Sequence, residues 1–205
     1  MAHTGASAVI LAGGRSSRMG QPKALLPLGG RTLIERIVAV LSRVFDDIVV
    51  VAAPEAEAVA LPALERARIV RDEAPYAGPA GALARGLRAV HHDAAFGCSC
   101  DLPMLRAEVA AWLVSLLNEP DGLDAAIPRV GGRLQPLHAA YRPRCAGALD
   151  AMLAGGESRL SALAGAVNTR IVEESEYRRH DPDALSCFNI NTPADYARAK
   201  TLAKP

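Results

Sequence analysis

Short apolar runs of strand length alternate with stretches of helical spacing along most of this chain. Residues 7–12 and 48–52 are apolar on both faces, and 68–71, 94–100 and 125–128 read as further strands. Between them, 32–41, 79–90 and 108–117 carry the three-to-four-residue apolar spacing of helices. Thr32 with Glu35 three positions on predicts a capped helix start, and Pro79 suits a first turn. Strands apolar on both faces and alternating with helices predict an α/β protein whose mainly parallel sheet is covered on both sides. The second half is less regular. A Gly131-Gly132 turn leads into a strand over 134–141, followed by helices over 143–153 and 158–163 and an edge strand over 168–172. A closing strand over 185–190 and a helix over 193–202, with Pro193 at its first position, complete the expectation. There is no internal repeat or low-complexity tract, so 1–205 reads as one domain.

Composition narrows the partners. Of 205 residues half are hydrophobic and 22% charged, yet the formal charge is only +1, which argues against bulk attraction to nucleic acid or an anionic membrane. Aromatics at 4% also argue against base-stacking platforms. Cys98, Cys100, Cys145 and Cys187 show no two-residue pairing of the zinc or thioredoxin kind, and Cys98 and Cys100 alternate on one strand face as buried thiols. Reduced cysteines, and a start that runs from Met1 directly into the first strand without a secretory leader, make a cytoplasmic protein the expectation. No apolar run approaches the roughly 20 residues that span a bilayer.

In parallel sheets ligands bind beyond the carboxyl ends of the strands, so the loops after Ala12, Val70 and Cys100 should face one crevice. The first of these, Leu11-Ala12-Gly13-Gly14-Arg15 through Arg18-Met19-Gly20 to Lys23, is small, glycine-rich and basic. Glycines expose main-chain N–H groups, and converging arginine and lysine turn such a loop into a polyphosphate cradle rather than a solvated surface loop. Its spacing is neither a Walker A loop nor G-x-G-x-x-G. Asp101, just past a strand end, is placed to hold Mg²⁺, which takes one or two carboxylates plus water and phosphate; its competing role is a turn or cap before Pro103. Asp72, ahead of Gly78 and Gly81, could accept hydrogen bonds from a base or ribose, with an Asx turn as the alternative. Asn189 and Asn191 alternate, and together with Gln135 in Gln135-Pro136-Leu137 they offer neutral amides suited to a heterocycle. Capping competes at Asn191 and Thr192. The histidines at 3, 91, 92, 138 and 180 show no ligand spacing and read as structural or exposed.

Taken together these motifs resemble the molybdenum cofactor guanylyltransferases, nucleotidyltransferases with a Rossmann-like three-layer α/β/α core. The signature loop from Leu11 to Lys23, Asp72 with Gly78-Pro79-Ala80-Gly81, Cys100-Asp101-Leu102-Pro103, Gln135-Pro136-Leu137 and Asn189-Ile190-Asn191-Thr192-Pro193 follow the family's order. The first motif is shared with many nucleotidyltransferases; the set of five is far more specific. The resemblance implies GTP and Mg²⁺ in the N-terminal half and molybdopterin in the C-terminal half. GMP would pass to the molybdenum-molybdopterin cofactor, giving the guanine dinucleotide and pyrophosphate. It assigns Leu11, Ala12, Gly13, Gly14, Arg15, Lys23, Asp72, Gly78 and Asp101 to the nucleotide, Lys23, Arg18 and Asp101 to catalysis as well, and Asp101 to the metal. Gln135, Asn189 and Asn191 fall to the cofactor substrate. Transient contacts with molybdenum-inserting and acceptor enzymes are further expectations, with neither nucleic acid nor membrane as a partner. The chain departs from the family pattern at Ala52-Ala53-Pro54, where an asparagine is usual, and at Ala80, where a larger apolar residue is usual. Cytidylyl transfer from CTP and a catalytically silent nucleotide-binding module are the competing functions.

Overall fold

This computed structural model describes residues 4–13, 22–53, 61–71 and 78–203. One sheet forms its middle layer. Its strands are β1 (Ser7–Leu11), β4 (Asp47–Ala52), β5 (Arg68–Arg71), β6 (Ala95–Ser99), β7 (Ala125–Val130), β8 (Arg133–Leu134), β9 (His138–Tyr141) and β10 (Thr169–Val172). Two further short strands, β2 (Pro27–Leu28) and β3 (Arg31–Thr32), make a separate hairpin. The sheet order is β10-β7-β9-β6-β1-β4-β5, with β8 paired to β7. The β5–β4, β4–β1, β1–β6 and β10–β7 pairs are parallel, and β9 runs antiparallel between β6 and β7. All the main strands but β9 therefore point one way, and the sheet is mostly parallel.

The helices are α1 (Leu33–Leu41), α2 (Gly78–Ala89), α3 (Ala107–Ser115), α4 (Cys145–Ala154), α5 (Leu163–Ala166), α6 (Glu174–His180) and α7 (Pro193–Leu202). Alternate residues of each strand face opposite layers. Ala8, Ile10, Ile48, Val50, Phe96 and Cys98 pack against α1, α3 and α6. Val9, Leu11, Val49, Val51 and Tyr141 pack against α2, α4 and α5. This is the three-layer α/β/α arrangement, and it explains why β1 and β4 are apolar throughout: neither face meets water. α1 starts as the sequence indicates, with Thr32 accepting from Glu35 N and the Glu35 carboxylate accepting from Thr32 N.

Several expectations need correction in the second half. Residues 134–141 are not one strand: β8 ends at Leu134, the Gln135–Leu137 turn intervenes, and β9 starts at His138. The break is forced by Pro136, which lacks the N–H a ladder needs. The closing strand expected over 185–190 is absent as well. Leu185–Cys187 forms a 3-10 turn, and Ile190 N donates to Asp101 O at 3.0 Å rather than to a strand. α6, and the β2–β3 hairpin turned by Gly29-Gly30, were not anticipated from the apolar pattern. The edge strand over 168–172 and the Gly131-Gly132 turn both form.

At the amino ends of β1 and β4 a buried polar lock faces away from the carboxyl edge. Ser7 Oγ donates to Asp47 Oδ2 at 2.7 Å, Arg68 pairs with Asp47 Oδ1 at 2.7 Å, and His91 N donates to Asp47 Oδ2 at 2.9 Å. Burial works against the charge of Asp47, but the Arg68, Ser7 and His91 donors outweigh it and hold the carboxyl below its ordinary value. A cavity of about 720 Å³ opens beside this lock, lined by Asp46, Glu65, Arg66 and His92 among others. It lies at the amino ends of the strands, opposite the edge where ligands of parallel sheets bind.

Packing of α2 on β1 yields a direct test. A Cβ at Gly86 would stand 2.3 Å from Val9 Cγ1, a fully buried contact, whereas a Cβ at Gly147 on α4 meets nothing within 4 Å. Gly86→Ala should therefore destabilise the protein by about 1–3 kcal/mol through overpacking. Gly147→Ala should stabilise it by about 0.5–1 kcal/mol through helix propensity. Urea denaturation midpoints of the two variants, compared with the parent, check both signs.

Candidate active site

Parallel pairing brings the carboxyl ends of β1 and β6 to the same edge, with Leu11 opposite Ser99. Leu11 O accepts from Cys100 N at 3.0 Å and Ala12 N donates to Val51 O at 2.8 Å, so the chain leaves each strand already tied to its neighbour. Asp101 sits at the turn that follows. Lys23 opens a 3-10 turn, Lys23–Leu25, whose Ala24 is buried in the core. Its Nζ donates to Asp101 Oδ2 at 2.8 Å and to Asn191 Oδ1 at 2.9 Å. The other carboxylate oxygen, Asp101 Oδ1, accepts from Ser99 Oγ at 2.5 Å. The Lys23 and Asp101 side chains remain 21% and 13% exposed, so the ion pair lies at the lip of the sheet and within reach of a ligand.

A satellite core holds these pieces in place. Leu26, Leu28 and Leu33, from the segment after Lys23, pack with Ile190 and Ala199 of the C-terminal region. Arg36 Nε on α1 donates to Pro103 O at 2.9 Å, which anchors the turn after Asp101. Asp101 does not cap a helix: α3 begins at Ala107, and the carboxylate is spent on Ser99 and Lys23. Deep burial pushes the Cys100 thiol up to about 12, the neighbouring Asp101 charge adding to the effect. That thiol is a packing group, as are Cys98 and Cys145.

The structure brings Lys23, Asp101 and Asn191 into one cluster. Gly13 belongs to the same edge, where a Cβ would lie 3.3 Å from Ala53 N, so a side chain here would crowd the end of β4 and push it by a few tenths of an ångström. Gly78 is the exposed first residue of α2, with φ +69° and open space at its Cβ position. Ala80 is fully buried against β1 and the rest of α2, so its small side chain serves helix–sheet packing. Gly14, Arg15, Arg18 and Asp72 lie outside the described residues. The Gln135–Leu137 turn adjoins the cluster through Ser99 N, which donates to Leu137 O at 3.3 Å. The Gln135 amide nitrogen donates to Val130 O at 3.4 Å and to Arg133 O at 3.3 Å, which holds the hairpin. Asn189 and Asn191 differ in surroundings. Asn191 is exposed and held by Lys23, whereas Asn189 Oδ1 is enclosed and has no hydrogen-bond partner among the described residues.

Two contributors were missed from sequence. Ser99 stands two positions before Asp101, the spacing that puts side chains on one strand face, and that spacing was the available signal. Asp195 completes a capping box with Thr192 and also accepts from Asn191 N at 3.0 Å; the Thr192-Pro193-x-Asp195 pattern was its signal.

Chemically, the cluster is a cation and an anion at a strand edge, each able to exchange its partner for a ligand of opposite charge. Among the described residues no three His, Cys, Asp or Glu side chains gather as a metal cage. A lone hard carboxylate fits magnesium, which keeps water and takes phosphate oxygens, and does not fit a closed zinc centre.

Residues 8–170 match the MobA-like NTP transferase domain. The chain belongs to this family. It is similar to a probable molybdenum cofactor guanylyltransferase of Pelotomaculum thermopropionicum, with 34% identity covering 97% of this chain and 94% of that protein. A molybdenum cofactor guanylyltransferase of Desulfosudis oleivorans is 30% identical over 96% of this chain and 95% of its own length. The fold superposes with a TM-score of 0.81 on the Archaeoglobus fulgidus molybdopterin-guanine dinucleotide biosynthesis protein A, at 27% identity, covering 96% of this chain and 97% of that one. A MobA-like nucleotidyltransferase is thus what the chain is by descent and by fold. Among its described residues no helix is long and apolar enough to cross a membrane.

Behind the Gln135–Leu137 turn of this MobA-like edge lies a buried pair. His138 Nε2 and Tyr177 OH are 2.9 Å apart, and Phe96 meets the His138 ring edge-on at 5.2 Å. Burial lowers the His138 pKa to about 3. Because an unfolded histidine takes its proton near pH 6.5, acidification from there towards about 3 favours the unfolded state. Stability should therefore rise with pH across this window, by at most about 1.4 kcal/mol per pH unit from this group. His138→Gln should flatten that part of a stability–pH curve measured by urea unfolding, and the His138 imidazole resonance should stay unprotonated from pH 5 to 8.

Proposed function

We propose that this protein transfers GMP from GTP to the molybdenum-molybdopterin cofactor, forming the guanine dinucleotide and pyrophosphate. The observation that carries the reading is the meeting of Lys23 and Asp101 at 2.8 Å on the carboxyl edge of the sheet. A phosphate-binding cation and a metal-binding carboxylate this close can grip one triphosphate–metal unit. The names of the relatives, a molybdenum cofactor guanylyltransferase and a probable one, support guanine as the base and the molybdenum cofactor as the acceptor.

In this reading, a phosphate oxygen of the cofactor attacks the α-phosphorus of GTP. The bond to the bridging oxygen breaks, and pyrophosphate departs with the electron pair. The attacking phosphate is already ionised, so the chain supplies position and charge rather than covalent chemistry. Lys23 turns from Asp101 to the incoming phosphates and compensates their charge. Asp101 would hold magnesium, with Ser99 Oγ keeping its carboxylate oriented. The chemistry the metal would supply there is neutralisation of the triphosphate. Leu11, Ala12 and Gly13 offer main-chain groups to the nucleotide, joined in this reading by Gly14, Arg15, Arg18 and Asp72. Gln135, Asn189 and Asn191 face the pterin. The same reading places the reaction in the cytoplasm.

Pyrophosphate release measured with GTP and with CTP, in the presence of Mg²⁺ and the molybdenum-molybdopterin cofactor, tests the assignment. GTP should be strongly preferred; a preference for CTP replaces it with cytidylyl transfer, and release with neither leaves a binding module. Lys23→Met and Asp101→Asn should each lower turnover by about a hundredfold or more while the unfolding transition stays cooperative. Chelation of divalent cations should abolish turnover, and Mg²⁺ should restore it.

A further inference from the structure

We propose that Asp195 is a positioning residue that sets Asn191, and through it Lys23, for the ligand. Asp195 Oδ2 accepts three hydrogen bonds: from Thr192 N at 2.8 Å, Thr192 Oγ1 at 2.9 Å and Asn191 N at 3.0 Å. The bond from Thr192 N belongs to an ordinary capping box, whose other half is Asp195 N donating to Thr192 Oγ1 at 3.1 Å. The bond from Asn191 does not. Asn191 lies one residue outside the helix, and capping makes no use of its N–H. What that bond does is hold the backbone of the residue whose side-chain oxygen accepts from Lys23 Nζ at 2.9 Å.

The neighbouring residue is pinned from the other side. Ile190 N donates to Asp101 O at 3.0 Å, and Ile190 is fully buried. Residues 190 and 191 are thus stretched between the carboxylate-bearing turn and the first turn of α7. α7 is itself fastened to the segment that follows Lys23. Tyr196 OH donates to Pro27 O, Ala199 is buried with Leu26, Leu28 and Leu33, and the Arg198 guanidinium lies 4.9 Å above the Phe188 ring. The Thr192 hydroxyl, followed by the Asn191 N–H, holds the Asp195 carboxyl below its ordinary value, and the Lys23 charge acts in the same direction. The acceptor is therefore ionised at neutral pH. Through this chain of contacts the last helix sets the direction of a lysine 172 positions earlier (195 minus 23).

The inference rests on the reading of Lys23 as a nucleotide ligand, so two readouts are needed, one with ligand and one without. The full chain is compared with Asp195→Ala, Thr192→Ala, Asn191→Ala and the Asp195→Ala/Asn191→Ala double variant. Without ligand, the rate of Lys23 acetylation by acetic anhydride is followed by peptide mass. With ligand, Mg²⁺–GTP binding is followed by calorimetry. Asp195→Ala should speed labelling of Lys23 and weaken GTP binding, each roughly three- to tenfold, the size of one lost hydrogen bond. Thr192→Ala removes the cap but leaves the bond from Asn191 N, so it should lower the unfolding midpoint and leave both readouts within about twofold. In the Asn191→Ala background, Asp195→Ala should add far less to either readout than it does alone, because most of its effect passes through that side chain and only its direct charge on Lys23 remains. Equal effects of Thr192→Ala and Asp195→Ala, or additivity in the double variant, would overturn the proposal and leave Asp195 as a helix cap. Unchanged labelling of Lys23 in Asp195→Ala overturns it whatever the nucleotide does. Accelerated labelling in a protein that binds no GTP upholds the positioning role and removes the nucleotide reading instead.

Discussion

The ion pair between Lys23 and Asp101 is the interaction on which the carboxyl edge depends. It joins residues 78 positions apart, and Asn191, 168 positions from Lys23, closes the group from the far end of the chain. A lysine and a carboxylate at a partly exposed site contribute little to folding when paired only with each other. Their value lies in exchange. Each charge is satisfied by the other and each can be released to a ligand of the opposite sign. A triphosphate with its counter-cation presents both signs at once, so binding replaces one pair of charge contacts by another without stranding either side chain.

Everything beneath that pair serves to hold two strand ends level. β1 and β4 are buried on both faces, and at their amino ends Asp47 and Ser7 lock the register with Arg68 and His91. A slip of one residue would move every side chain to the opposite layer, and two differently shaped cores forbid it. The carboxyl ends of β1 and β6 are level as a consequence, and Cys100 N reaches Leu11 O. The Asp101 turn is then fixed by three further ties, from Ser99, from Arg36 through Pro103, and from Ile190. The site is therefore rigid in its acidic half, and its basic half is steadied by the satellite core under α7.

Much of this was legible in the chain because it follows from local rules. Runs such as Ile48-Val49-Val50-Val51 exclude water from both faces and therefore specify a covered parallel strand. Thr32 with Glu35, and Pro193 after Thr192, mark helix starts because unpaired N–H groups there need acceptors. Asp101 stands out as a charge just beyond a strand end, and Lys23 as the lysine that closes the glycine-rich, basic loop. The misreadings share a cause. Residues 185–190 are apolar enough for a strand, but Ile190 finds its partner at a turn instead of a ladder, and Pro136 divides what periodicity alone joins into one strand. Ser99 and Asp195 look like filler and a cap until their second partners are visible.

Type of element, capping and the chemical character of the edge were written into the sequence, since each depends on neighbours within a few positions. Which distant groups meet was left to the tertiary structure. The insertion of β9 antiparallel between β6 and β7, the return of Ile190 to Asp101 and the convergence of Lys23 with Asn191 all arise from how two cores and a satellite cluster pack. Packing is a property of the whole chain at once, because each buried side chain takes its place only when its partners from other elements have taken theirs.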